Sequence, residues 1–110
     1  MSTHLKPKPE PMLIIPLDAP IESGKTIYTE LTLAEPKARA VLEAEKHLKG
    51  PSLGPSDLRL YQLTLVSQTA GIPFSDLRDL FPISVINEAS RYLQGFLEAG
   101  EPIGESASAG

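Results

Sequence analysis

Proline and glycine set the length of every regular segment this chain can form. There are 11 prolines and 8 glycines among 110 residues, and they are clustered. Pro7, Pro9 and Pro11 crowd the start, while Gly24, Pro36, Gly50-Pro51, Gly71, Pro73 and Pro82 cut the remainder into runs of roughly ten to twenty residues. No internal repeat or heptad run crosses these cuts. The apolar stretch nearest the start, Met12 to Leu17, is too short and too bounded by proline for a secretory signal or a membrane span. One small domain built of short elements is what such punctuation permits.

The hydrophobic period assigns an element type to each run. Leu13, Ile15, Leu17, Ala19 and Ile21 alternate with period two. After the turn signal Glu22-Ser23-Gly24-Lys25, Ile27, Thr29, Leu31 and Leu33 do the same. This predicts a β-hairpin with one apolar face. Pro16 and Pro20 donate no ladder hydrogen bond, so the first strand is expected to be an irregular edge strand.

Glu35-Pro36 opens a predicted helix with the stripe Ala38, Val41, Leu42 and Leu48, ended by Gly50-Pro51. Ser56 is the expected N-cap of a second helix to about Ala70, stopped by Gly71 and Pro73. That helix carries two apolar rows, Leu58, Tyr61 and Leu65 on one side and Leu60, Leu63 and Val66 on another, as a buried central helix does. A short turn spans Ser75 to Leu80. A last helix starts at Pro82 or Ser84 and runs to about Leu97, with Ile86, Ala89, Leu93, Phe96 and Leu97 at helical spacing. A hairpin alone is marginal in water and needs helices over its apolar face. The expected fold is therefore α+β: an N-terminal β-hairpin packed on three to four helices across residues 12–99. The Pro-rich stretch 1–11 and the small, acidic stretch 100–110 are expected to be disordered tails.

Ten Lys and Arg against fourteen Asp and Glu give a net charge of −4, a surface that repels phosphate backbones and anionic lipid; neither nucleic acid nor membrane is expected as a partner. Without cysteine there is no disulfide framework and no thiolate metal or redox site, which suits a reducing cytoplasm.

The motifs that touch on catalysis lack their context. Gly50-Pro51-Ser52-Leu53-Gly54 spells G-x-S-x-G, but a helix precedes it and both histidines, His4 and His47, lie upstream of the serine; a nucleophile elbow needs a strand before and a histidine after. Gly24-Lys25-Thr26 ends like a phosphate loop, but Ala19 stands where the first glycine belongs and a strand follows. The pairs Asp76/Asp79 and Glu43/Glu45 read as solvated helix surface, and no cluster of ligands suggests a metal. No enzyme, no metal and no cofactor are expected.

The order of several short motifs is more informative. Pro20-Ile21, Gly24-Lys25-Thr26-Ile27, Glu30-Leu31-Thr32-Leu33, Glu35-Pro36-Lys37-Ala38-Arg39, Leu42 and Glu45-Lys46 are followed by Thr69-Ala70-Gly71-Ile72-Pro73, by Leu77 and Leu80, and by Tyr92-Leu93-Gln94-Gly95-Phe96-Leu97. In this order, from about Leu13 to Leu97, the chain resembles the small tail assembly chaperones of Mu-like and related contractile-tailed phages. The Pro-rich N-terminal stretch and the Gly50–Pro55 loop depart from that pattern.

The resemblance implies a non-enzymatic protein, made in the host cytoplasm, that binds the tape measure protein during tail assembly and is absent from the finished tail. A longer form of the protein made by ribosomal frameshifting, and a second copy of the chain, are further implied partners. A small cytoplasmic adaptor with an unrelated protein partner is the alternative. For a client that is long and helical with apolar stripes, a chaperone needs an apolar groove or helix face. Leu60, Tyr92, Phe96 and Leu97 are the residues expected to make that contact, against the reading that all four belong to the core.

Overall fold

The computed structural model describes residues 5–101. The elements are strands β1 (Met12–Ser23) and β2 (Thr26–Ala34) and helices α1 (Ala38–Glu45), α2 (Pro55–Ala70), α3 (Phe74–Leu80) and α4 (Ile83–Glu98). A 3₁₀ turn, Lys46–Leu48, extends α1. The architecture is the expected α+β one, an N-terminal antiparallel hairpin followed by helices.

The hairpin has two halves in different register. Near its base Leu13 pairs with Leu33, Ile15 with Leu31 and Pro16 with Glu30; near its tip Ile21 pairs with Tyr28 and Ser23 with Thr26. Between them Leu17–Pro20 stand opposite Thr29 alone. Pro16 and Pro20 border this slip, where a missing N–H costs least. Extra residues on one strand raise the local twist, and the tip presents its other pleat to the helices. Leu31 and Leu33 are buried as the period-two pattern predicts, but Ile27 is 61% exposed and Thr29 is exposed too. Tyr28 turns inward instead, its ring 5.4 Å from that of Phe81. Gly24, at φ +60°, forms the tight turn.

Helix ends follow the punctuation, with some caps reassigned. At α2 the N-cap is Gly54, not Ser56: the Asp57 carboxylate accepts the Gly54 N–H at 2.8 Å, satisfying a donor that would be orphaned at a helix start. Its C-terminus closes on Gly71 at φ +72°, whose N–H donates to the Ser67 carbonyl, while the Ser67 hydroxyl donates to the Ile72 carbonyl at 2.6 Å. α3 and α4 start behind Pro73 and Pro82, whose carbonyls accept the first helical N–H groups. α3 thus begins at Phe74, ahead of the expected Ser75.

The stripe of α1 is rotated by about one position from the one expected. Ala40 and Ala44 are buried, Val41 and Leu48 half-buried, and Ala38 and Leu42 exposed. Two alanines spaced i, i+4 make a flat face that lets α1 lie close on α2, its main neighbour. The core joins that face to Leu31, Leu33, Leu65, Val66, Leu77, Ile86 and Leu93, each under 2% exposed, and each such side chain contributes roughly 1.5–3 kcal/mol by leaving water.

Within the Pro-rich stretch, residues 6–10 form no helix or turn and lie against α4 and the Gly100–Glu101 backbone rather than standing free of the domain. The disorder expected for residues 1–4 and 102–110 lies outside the described residues.

Candidate functional site

Of the candidate catalytic groups, Asp76, Asp79 and Glu43 are held in structural contacts. Ser52 lies exposed in the loop between the 3₁₀ turn and α2, with no strand leading into it. Gly24-Lys25 is the hairpin tip, and a strand follows. Asp76 accepts hydrogen bonds from Ser23 Oγ and from the Tyr28 hydroxyl, both at 2.8 Å, so this carboxylate ties the hairpin tip to α3. Asp79 faces elsewhere and pairs with the Arg78 guanidinium through two 2.8 Å contacts; that pairing lowers its pKa and raises that of Arg78. Glu43 pairs with Lys46 at 3.0 Å. Among the described residues no three His, Asp or Glu side chains converge as metal ligands.

The three tyrosines all have raised pKa values. At Tyr28 the hydrogen bond to Asp76 is the chief cause, with burial second. At Tyr61 burial leads and the Glu45 charge adds to it, and at Tyr92 burial leads with the Glu10 charge.

Of the four residues expected to bind a partner, the structure brings two together. Tyr92 and Phe96, one turn apart on α4, stack edge to face with ring centroids at 5.3 Å. Residues 5–11 lie over them: the Tyr92 hydroxyl donates to the Glu10 carbonyl, and Phe96 borders a cavity of about 310 Å³ with Lys8, Pro9, Pro11, Ala34 and Glu35. Leu97 is half-buried against the core. Leu60 stands apart on α2, 36% exposed and with no part in that cavity.

A larger groove of about 640 Å³ runs between α2 and α4. Leu48, Leu58 and Tyr61 supply its apolar wall, and Asn87, Arg91, Gln94 and Glu98 its polar side. Arg59 donates to Asn87 at 2.8 Å and Tyr61 to Gln94 at 3.4 Å, which ties α2 to α4 beside the groove, and Arg59 also donates to Gln62 within α2 at 2.7 Å. Leu58, 51% exposed, is the groove residue that sequence reasoning put in the core. Its signal was the apolar row on a helix with more apolar faces than neighbours can cover.

A small helical body on a hairpin, with Asp76, Asp79 and Glu43 held in structural contacts and apolar side chains in open grooves, has the make-up of a protein-binding module. Over residues 14–98 the chain matches the family model described as "Phage tail assembly chaperone proteins, E, or 41 or 14", and it belongs to that family. No curated protein and no solved structure matches the chain. No helix among the described residues is long and apolar enough to cross a membrane.

Proposed function

We propose that this tail assembly chaperone takes the tape measure protein as its client and acts by binding alone, with no reaction of its own. The observation that carries the reading is the family match over residues 14–98. The apolar wall of the α2–α4 groove supports it, since an amphipathic client helix needs such a wall with polar groups along its rim. In this reading Leu60, Tyr92, Phe96 and Leu97 contact the client, joined by Leu58. A longer form of the protein and a second copy are further proposed partners. The chaperone works in the host cytoplasm and leaves before the tail is finished.

Co-expression with the tape measure protein of the same phage or prophage tests this. The expected result is a soluble complex that co-purifies, with the tape measure protein aggregating when made alone and the chaperone missing from purified particles by mass spectrometry. A tape measure protein that is equally soluble without the chaperone and never co-purifies with it would favour an adaptor with another partner.

A further inference from the structure

Residues Lys6–Pro11 cross α4 as a strap. Two backbone hydrogen bonds fix one end, from Lys6 N–H to the Glu101 carbonyl at 2.8 Å and from Gly100 N–H to the Lys6 carbonyl at 2.9 Å. The other end is held where Tyr92 donates to the Glu10 carbonyl. Between them Pro9 sits directly on Gly95: a Cβ at that position would lie 2.7 Å from the proline Cγ. Glycine is a poor helix former, and here it stands where the strap needs the space. Lys6 and Lys8 pair with Glu98 and Glu35, each at 3.3 Å.

These contacts are those by which polyproline-type peptides are recognised. Such a segment has no internal hydrogen bonds, so its carbonyls are free to accept from a tyrosine hydroxyl; its rings pack on aromatic side chains, and flanking bases meet acids. The attachment is also light. The carboxylates and ammonium groups of both ion pairs are more than a third exposed, which leaves little net energy in them. Leu5, the one large apolar side chain of the stretch, is 51% exposed. A segment with so few buried contacts opens far more readily than the domain unfolds.

We infer that the Tyr92–Gly95–Phe96 face of α4 is a groove for an extended, basic, proline-containing segment, filled in the free chain by its own residues Lys6–Pro11, which detach to let a client segment dock. The inference rests on the proposed client only for the identity of what displaces the strap.

The test uses the full-length chain carrying Pro7→Gly, Pro9→Gly and Pro11→Gly, which leaves the groove intact and removes the pre-set extended shape of the strap. Amide exchange at Gly100 should quicken about tenfold or more, with the Leu65 and Leu93 amides unchanged. A synthetic peptide of the sequence Leu5–Pro11, titrated into this variant, should shift the NMR signals of Tyr92, Gly95 and Phe96 saturably. It should bind the wild-type chain at least about tenfold more weakly, because the tethered strap competes at high effective concentration. Adding Gly95→Ala should abolish peptide binding while the core amides stay protected. Gly100 exchanging as slowly as the core in both chains, or a peptide that moves none of the three signals, would overturn the groove. Capture of the tape measure protein should rise in the proline variant; equal capture by both chains would overturn displacement by the client. Capture by neither chain, with peptide binding intact, would overturn the proposed client and uphold the groove.

Discussion

Helices α2 and α4 have the same length, 16 residues, and dispose of their apolar side chains in opposite ways. α4 sorts them around its axis, with Ile86, Ala89 and Leu93 sealed on one face and the Tyr92–Phe96 pair on a neighbouring one, under the strap. α2 sorts them along its axis. Leu63, Leu65 and Val66 in its later half are buried, whereas Leu58 and Leu60 in its first half are exposed. A helix that is apolar on several sides is buried only where its neighbours pack against it, and along the first half of α2 the space toward α4 is an open groove. The surplus apolar surface of α2 is open, whereas on α4 the Tyr92–Phe96 pair is covered by the chain itself and Ile83, in the first turn, is left exposed.

The sharpest way to break this contrast is Leu65→Asp. A carboxylate at a position with no solvent exposure, among apolar side chains, should unfold the domain, seen as loss of the cooperative melt by circular dichroism. Leu93→Ala should cost about 2–5 kcal/mol in urea denaturation, since the cavity would open in a fully buried part of α4. Asp76→Ala takes the shared acceptor from Ser23 and Tyr28 and should cost about 1–2 kcal/mol, with faster amide exchange confined to the hairpin tip.

The same site predicts a pH effect. Folding raises the Tyr28 pKa above its ordinary value of 10.0, so the fold favours the neutral hydroxyl. The stability this gives is whole below pH 10.0 and is lost as pH rises through the raised value. Tyr28→Phe should remove its share of that alkaline loss, with tyrosinate absorbance reporting the titration. Smallest in stability are Leu58→Ser and Leu60→Ser, each within about 0.5 kcal/mol because both side chains are already exposed. Either should nonetheless lower capture of the tape measure protein, and a variant that melted several degrees lower with capture unchanged would return its residue to the core.

Much of this was legible in the residues. Gly24, Gly71, Pro73 and Pro82 place the turn and the helix ends within a residue or two, because backbone constraint acts locally. The order of short motifs pointed to the family that the match over residues 14–98 shows. What escaped depends on neighbours distant in sequence. Pro16 and Pro20 signalled an irregular strand, but not that the slip would turn Tyr28 toward Phe81 and leave Ile27 outside. The face of α1 follows from how closely two alanines let α2 approach, which periodicity over eight residues does not resolve. The surplus of apolar faces on α2 marks that some row must stay open, but nothing local selects Leu58 over Leu65, two turns on and sealed. In the sequence Gly95 is one letter of a motif, and its role depends on Pro9, near the other end of the chain, lying on top of it.

The paired hydrogen bonds between Lys6 and the Gly100–Glu101 backbone bring the two ends of the described body to one corner. Polypeptide joined on either side therefore departs from the same place, next to the strap, and a bulky fusion at one end would crowd the other. The same closeness permits a circular permutant, with a short linker joining the old ends and new ends opened in the exposed Gly50–Pro55 loop. In such a chain the strap would be tethered at both ends, converting a detachable segment into a fixed one.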